Sequence, residues 1–304
     1  MIWSRHNFLS RWHADRLNSG RWNADSWLRP TLGLPAAGAA LMLLLVLGFL
    51  LREAAPLLNS RQSLGFLTDS SWYPLEGQFG LLPMAAASLA AALGAIVLAG
   101  PLGLASAIFL HFLAPPAIDR VYRLMIALLA GIPSVVFGLW GLTVLVPLIA
   151  RWQPPGASLL AAILILALMI LPTIALTSAS ALAAVPKSLL HGAQALGLTQ
   201  RGTILRVAVP AARSGILNGV LLASARALGE TMAVLMVAGN VVQYPSGVFD
   251  PVRVLTANIA LEMAYATGMH RSGLFMSGLL LMAVVILFAW LAMRVTKGSG
   301  TSHV

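Results

Sequence analysis

Residues 158–181 read SLLAAILILALMILPTIALTSASA, inside a run from 152 to 186 that contains no Asp, Glu, Lys or Arg. A helix needs about 20 apolar residues to cross the hydrocarbon core of a bilayer. Because the run exceeds that length without a single formal charge, it predicts a transmembrane helix and indicates a membrane protein.

Other charge-free stretches occupy 30–51, 77–118, 124–150, 231–249 and 272–293. We interpret 77–118 as one long span, because two spans broken at Gly100-Pro101-Leu102-Gly103 would form a tight hairpin without a polar residue at its turn. The stretch 231–249 extends backward through Arg226 to Ser214, which makes one span with charges inside it. Six transmembrane helices are predicted, at 32–51, 81–110, 124–149, 158–181, 214–239 and 273–293.

The composition of the whole chain supports this interpretation. Hydrophobic residues make up 59% of the chain and charged residues 9%, whereas soluble domains carry about 25% charged residues. The absence of cysteine excludes disulfides, thiolate nucleophiles and cysteine-ligated metals. The net charge of +10 lies in short segments between apolar runs. It therefore indicates orientation in an anionic membrane, with lipids rather than nucleic acid as the partner.

The basic residues also predict the topology. Thirteen of the 19 Lys and Arg residues lie on the side of the membrane that the N-terminus occupies, and five lie on the other side. This bias predicts a multi-pass membrane protein with both termini in the cytoplasm. The predicted parts are a basic cytoplasmic tail 1–31, a first span 32–51, an extracytoplasmic segment 52–79, a five-span core 80–293 with a cytoplasmic loop 182–212, and a cytoplasmic tail 294–304.

The Arg- and Trp-rich tail 1–31 has two interpretations. It could form a surface helix at the level of the lipid headgroups, or it could be a partly disordered segment that only fixes orientation. We favour the second.

Signatures of catalysis are missing from the sequence. Only Lys187 and Lys297 could end a G-x-x-x-x-G-K-[ST] phosphate-binding loop, and neither has the required glycines upstream. The histidines never lie three or four residues apart, and no G-x-S-x-G elbow occurs. The sequence therefore predicts no nucleotide site, metal site or cofactor, and no enzyme activity of its own.

The loop 182–212 has the pattern of an amphipathic helix–turn–helix. Pro186 suits the start of a helix, and the face of that helix that carries Ala193 is apolar. Gly197 can take the left-handed turn after it, and Pro210 is expected to end a second short helix. The apolar face either binds a partner or covers the inner surface of its own protein.

This loop resembles the coupling loop of ABC importer permeases, whose pattern is E-A-A-x3-G-x9-I-x-L-P. Gly197, Val207, Val209 and Pro210 keep the spacing of the pattern. His191 stands where the family has Glu, which removes one polar contact to the ATPase or within the loop. By this resemblance, the residues that couple the chain to an ATPase are His191, Gly192, Ala193, Gly197 and Pro210.

Further segments resemble the phosphate importer permeases of the PstC type. They are RALGETMAV at 226–234, IPSVVFGLWG at 132–141 and LTANIALEM at 255–263, and the likeness covers about residues 64–293. The resemblance implies an all-α polytopic fold of the type I ABC importer permease kind, with six transmembrane helices and a cytoplasmic coupling helix.

The function implied is that of a bacterial inner membrane subunit that forms half of the path of an ATP-driven phosphate importer, by alternating access. Its partners would be a second homologous permease subunit, cytoplasmic ATPase subunits and an extracytoplasmic phosphate-binding protein. The alternatives are a permease for molybdate, sulfate or another oxyanion, a passive anion channel and a membrane enzyme acting on lipid phosphates. A channel would not need the 182–212 loop, and an enzyme would need a nucleophile or base near Arg226, where only Glu230 is found.

Arg226 and Glu230 lie four residues apart, which places them on one face of a continuous helix. Each charge would cost about 2.5–3.5 kcal/mol at the centre of a membrane helix, so the two are predicted to pair. The resemblance implies a substrate path formed by Arg226, Glu230, Thr231 and Ser134, in which the fork of the arginine binds two phosphate oxygens. The alternative is a structural ion pair that fixes the fifth span to its neighbours.

A helix break is predicted at Gly131, Pro133 and Gly138 in the third span, because Pro133 removes one helical hydrogen bond and the glycines loosen the helix. Such a break could aim backbone N–H groups and the Ser134 hydroxyl at an anion, or it could be a kink that allows close packing.

Farther along the chain, Thr256 and Asn258 are polar residues in an otherwise apolar stretch. They could line the mouth where a binding protein docks, or they could belong to a short capped helix.

Overall fold

The computed structural model describes residues 6–59 and 65–298, and most of these residues are helical, which confirms the all-α class. Three pieces of the predicted segments lie outside the described residues: 1–5 and 299–304 of the two tails, and 60–64 of the segment 52–79. Residues 1–52 and 53–304 form two compact units.

The helices follow the apolar runs of the sequence. In chain order they are α1 His6–Leu58, α2 Gly65–Thr68, α3 Leu82–Ile108, α4 Pro116–Gly131, α5 Ser134–Trp140, α6 Val146–Ala150, α7 Leu159–Ala183, α8 Lys187–Ala195, α9 Gln200–Thr203, α10 Val209–Ala211, α11 Arg213–Gly229, α12 Met232–Val237, α13 Leu255–Glu262 and α14 Gly268–Gly298. π-Helical turns at Phe109–Leu113, Gly141–Leu145 and Ile204–Ala208 extend α3, join α5 to α6 and join α9 to α10. Two short antiparallel strands, β1 Trp72–Tyr73 and β2 Gln78–Phe79, form a hairpin.

The first unit consists of most of α1. This helix begins at His6, so residues 6–31 are helical, and the favoured interpretation of a partly disordered tail is wrong for them. Strong helix formers such as Ala, Leu and Arg recur in this part of the chain and explain the helix. Between 32 and 51 the apolar side chains are largely exposed, with Met42 at 70%, as a lipid-facing span requires.

The second unit is built around α7. Helices α3 and α11 pack against α7, and α3 contributes a row of buried alanines: Ala87, Ala91, Ala95 and Ala99. Small side chains let membrane helices approach closely. At Gly103 of α3 an added Cβ would lie 2.7 Å from Ile174 of α7. The stretch 77–118 contains a single helix from Leu82 to Leu113, in agreement with one long span.

Within the described residues, four helices are long and apolar enough to span a membrane, and up to six spans result if each of two bent helix pairs counts as one. One bent pair is α4 with the segment α5–α6, whose axes meet at 91°. Pro133 causes this bend, since the preceding Ile132 takes an extended conformation with ψ 128°. The predicted third span is therefore a broken one.

The predicted fifth span, 214–239, is wrong as a continuous helix. Helix α11 ends at Gly229, because Glu230 is extended with ψ 130°, and α12 begins only at Met232. At its other end α11 meets the segment Gln200–Ala211 at 67°, and these two form the second bent pair. The break at Glu230–Thr231 places a non-helical segment inside the helical core.

The contact between α11 and α7 can be tested at Gly219, which is buried. A Cβ added there would lie 2.9 Å from Thr177 Cβ, closer than real side chains come. We expect Gly219→Ala to lower the free energy of unfolding by about 1–3 kcal/mol through overpacking. Gly100→Ala in α3 is the control, because no described residue beyond its own helix lies within 4 Å of its added Cβ. Equal thermal stability of both variants in detergent would contradict this close packing.

Candidate functional site

The break at Glu230–Thr231 is held by hydrogen bonds that the sequence did not reveal. Glu230 Oε1 accepts the backbone N–H of Ala233 at 3.2 Å, in the first turn of α12. The Glu230 side chain therefore satisfies one of the N–H groups that a helix start leaves without a partner. Thr231 is half-buried, and its hydroxyl donates weakly to the Gly229 carbonyl at 3.4 Å.

The predicted ion pair between Arg226 and Glu230 is absent from the described part of the chain. The physical reason is the break, since pairing at a spacing of four requires a continuous helix and Glu230 is already extended. Arg226 is exposed in the last turn of α11 and has no ion-pair partner among the described residues. Arginines within membrane-spanning segments almost always face the interior of the helix bundle or a water-filled cavity.

The second break lies between α4 and α5, and α5 packs against α12. Gly131 is the last residue of α4, Pro133 follows the extended Ile132, and Ser134 is the first residue of α5. Gly138 does not break the helix, contrary to the prediction. An added Cβ there would lie 2.9 Å from Ala233 Cα, so this glycine allows α5 to pack closely on α12.

Ser134 lies one helical turn before Gly138 and is half-buried. Within the described residues, no hydrogen bond joins Ser134 to Arg226 or Glu230. The structure therefore packs α5, which carries Ser134, against α12, which follows the Glu230 break, but no hydrogen bond in this described part of the chain links Ser134 to either charge.

Two hydroxyl groups, one from α13 itself and one from α3, hold the first turn of α13 beside the Glu230 break. Thr256 Oγ1 donates to the Glu230 carbonyl oxygen at 2.8 Å, and Ser88 Oγ of α3 accepts the Leu255 N–H at 3.0 Å. Both hydroxyl-bearing residues are less than 10% exposed. The predicted alternative for Thr256, a short capped helix, is close to what the structure shows, although the cap comes from Ser88.

A buried ionic cluster lies at the other end of α13. The Glu262 carboxylate accepts Trp72 Nε1 at 2.8 Å and Arg253 Nη1 at 2.6 Å, and it contacts His270 Nε2 at 2.8 Å. The same guanidinium also donates to Asn258 Oδ1 at 3.1 Å. Sequence analysis missed this cluster because Trp72 and Glu262 are 190 residues apart. The only local signal was the Asn258–Glu262 spacing of four on α13.

The charge of Glu262 makes the stability of this region depend on pH. Burial raises the pKa of the carboxyl, but hydrogen bonds from Trp72, His270 and Arg253 outweigh burial, so the pKa of Glu262 lies below its ordinary value. Because the pKa is lower in the folded state, the ionised Glu262 contributes its full stabilisation when the pH is above the ordinary pKa of a glutamate. This stabilisation is lost as the pH falls through the folded-state pKa.

We therefore expect Glu262→Gln to lower the free energy of unfolding at pH 7 by about 2–4 kcal/mol, because the largely buried Arg253 guanidinium loses its anionic partner. We also expect the variant to lose less additional stability than the wild type between neutral pH and strongly acidic pH. Thermal unfolding in detergent across this range measures both effects. Asp119→Asn is the control, since Asp119 forms an exposed pair with Arg123 at 2.8 Å, worth at most about 1 kcal/mol.

The loop 182–212 forms the predicted helix–turn–helix. Helix α8 follows Pro186, and Gly197 takes φ +82°. Its N–H donates to the Gln194 carbonyl at 2.9 Å, and Leu198 N–H donates to the Ala193 carbonyl at 3.1 Å, the two bonds of a left-handed helix stop. The second helix runs past the predicted end at Pro210 to Ala211.

The side chains of α8 divide between the protein and solvent. Ala193 is buried, whereas His191 and Gly192 are exposed, and Leu196 is 83% exposed. A groove of about 480 Å³ runs between α8 and the second helix. It is lined by Phe112, Lys187, Leu190, His191, Gln194, Gln200, Thr203 and Ile204.

The family model described as "Binding-protein-dependent transport system inner membrane component" matches residues 99–297. The chain is 43% identical over 238 residues to "Probable ABC transporter permease protein YqgH" of Bacillus subtilis, covering 76% of this chain and 77% of the relative. It is 35% identical over 292 residues to "Phosphate transport system permease protein PstC" of Mesorhizobium japonicum, covering 87% and 89%. The protein of the same name from Haemophilus influenzae is 35% identical, with coverage of 77% and 82%.

Solved structures share the fold at low sequence identity. An inward-facing structure of the MetNI methionine ABC transporter aligns with a TM-score of 0.56 at 18% identity, over 75% of this chain and 99% of that chain. A crystal structure of an amino acid ABC transporter with histidines aligns with a TM-score of 0.53 at 16% identity, over 71% and 92%. These likenesses confirm the architecture predicted for a type I importer permease.

Proposed function

The chain belongs to the family of inner membrane components of binding-protein-dependent transport systems, and we propose that it is a permease subunit of an ATP-driven phosphate importer. It is a multi-pass membrane protein and a transport subunit rather than an enzyme, and ATPase subunits and a partner permease are its partners. The proposal adds an extracytoplasmic phosphate-binding protein and a topology with both termini in the cytoplasm.

The position of Arg226 is the main structural support for an anionic substrate. Arg226 is exposed, it has no ion-pair partner among the described residues, and it lies at a helix break inside a membrane protein. Its planar fork can donate two parallel hydrogen bonds to two oxygens of a phosphate. Two relatives that this chain matches over most of their length are named as phosphate permeases. We therefore propose phosphate as the substrate.

Movement of the ATPase can reach the substrate path through consecutive segments of the chain. The exposed side of α8 receives the movement of the ATPase, and the Gly197 turn passes it to the segment Gln200–Ala211. That segment bends directly into α11, whose 17 residues extend about 25 Å at 1.5 Å per residue. Arg226 lies at the far end of α11, so a tilt of the loop moves the arginine and the break beside it.

The test is transport by the complete complex. We expect vesicles that contain this chain with its partner permease and ATPase subunits to take up radiolabelled phosphate only when ATP and the binding protein are supplied. Excess unlabelled phosphate should compete, whereas sulfate and molybdate should not. ATP-driven uptake of sulfate or molybdate without phosphate uptake would overturn the choice of substrate. Phosphate flux without ATP hydrolysis would instead indicate a channel.

A further inference from the structure

Helix α13 is held at both ends by buried polar contacts. Arg253, which precedes the helix, donates to Asn258 and Glu262 along its length, at 3.1 and 2.6 Å. Its Nε also donates to the Asn240 carbonyl at 3.0 Å, in the loop that follows α12. One guanidinium therefore fixes α13 along its own axis and against the neighbouring loop.

The first turn of this fixed helix touches the proposed path at one point. Thr256 Oγ1 donates to the Glu230 carbonyl at 2.8 Å, and Thr256 is 8% exposed. Because Glu230 is extended, its carbonyl lies outside the regular hydrogen-bond ladder of α11 and accepts this bond instead. Water has little access to replace a hydroxyl at this position, so loss of the bond would leave the carbonyl without this partner.

We infer that Thr256 is a positioning residue for transport, which sets the location of the Glu230 break and thereby the orientation of Arg226 and Glu230. The inference rests on the proposed role of that pair in the path. Helix α13 acts as the rigid support, and the Thr256 hydroxyl is the contact through which the support acts. Thr256 itself does not touch the substrate in this scheme.

The test compares substitutions that keep or remove one hydroxyl. Thr256→Val keeps the shape of the side chain but loses the donor, and we expect the maximal rate of phosphate uptake per folded transporter to fall about tenfold, the effect of one buried hydrogen bond. Thr256→Ser restores the donor and should restore the rate. Thr177→Val is the matched control, because, among the described residues, the Thr177 hydroxyl donates only to carbonyls of its own helix, at Thr173 and Ile174.

A second measurement does not depend on the substrate. The chain has no cysteine, so a Met232→Cys reporter at the start of α12, where the side chain is 47% exposed, gives a single labelling site. We expect Thr256→Val to change the rate at which a thiol reagent labels this cysteine, and Thr256→Ser to leave that rate unchanged. If the protein transports another substrate, the labelling result still stands, so failure of the proposed function and failure of this inference are distinguishable.

Wild-type uptake and wild-type labelling in Thr256→Val would overturn the inference. So would a fall in thermal stability that accounts for the whole loss of uptake and is not rescued by Thr256→Ser, since Thr256 would then be structural only. If Thr256→Val fails to fold, Thr256→Ala is measured in its place, and the same two outcomes decide.

Discussion

Removing both charges at the break, in an Arg226→Ala, Glu230→Ala protein, is expected to abolish phosphate uptake while most of the protein remains folded in the membrane. The two side chains do not form an ion pair, so no buried charge is left without its partner. Arg226 is exposed, and Glu230 bonds to the Ala233 N–H. Only the helix cap is lost, which costs about 1 kcal/mol.

The single substitutions separate the role of Arg226 from the role of Glu230. Arg226→Ala should leave membrane abundance unchanged and lower phosphate uptake about 10- to 100-fold. A hydrogen bond to a charged group stabilises its complex by about 1.5–3 kcal/mol, which corresponds to this range. Arg226→Lys keeps the charge without the fork, so uptake should be weakened at normal abundance. Glu230→Gln keeps an oxygen for the cap but removes the anion that competes with phosphate. Tighter retention of phosphate or transport without ATP is therefore expected.

The measurement is phosphate uptake divided by membrane abundance for each variant. Arg123→Ala is the control, because Arg123 is an exposed arginine whose only ion pair among the described residues is with Asp119 on the same helix. Full uptake by the double alanine variant would remove Arg226 from the path. A fall in abundance that the double variant reverses would restore the ion-pair interpretation that the structure contradicts.

Much of this fold could be predicted because each apolar run specifies a helix by local composition alone. Turns governed by one residue were also predictable, as Gly197 and Pro133 show. Gly197 takes a positive φ that other residues rarely adopt, and Pro133 forces the preceding residue out of the helical region. Such effects depend on one residue and its neighbours, so the sequence is enough to locate them.

The Glu230 break shows where this reasoning stops. Residues 226–234 contain no proline, and a continuous helix with an ion pair was the natural local interpretation. The break is stabilised instead by Thr256, 26 residues away, and by the Glu230 carboxylate acting as a cap. The Glu262 cluster is similar, since it joins a hairpin, a short helix and the start of α14. Contacts of this kind become visible only after the helices are placed in three dimensions.

The turn at Gly197 gives the other large expected effect. Gly197→Pro should abolish ATP-driven uptake while the protein still inserts into the membrane. Proline fixes φ near −65°, far from the observed +82°, and removes the N–H that donates to Gln194. It also favours an extended conformation of the preceding residue, Leu196, which here has ψ 8°. The second helix would leave α8 in a different direction, so movement of the ATPase would no longer reach α11.

Substitutions of different severity distinguish a change in the direction of the second helix from a loss of stability of the loop. Gly197→Ala keeps the N–H and can adopt the left-handed conformation at a cost of about 1–2 kcal/mol, so partial coupling should remain. Gly100→Ala in α3 is the control, because this glycine lies outside the coupling loop and no described residue beyond its own helix lies within 4 Å of its added Cβ, so uptake should stay normal. His191→Glu restores the acid of the family pattern and should be tolerated. The decisive readouts are ATPase copurification and uptake per transporter, and normal values of both in Gly197→Pro would remove the loop from the coupling route.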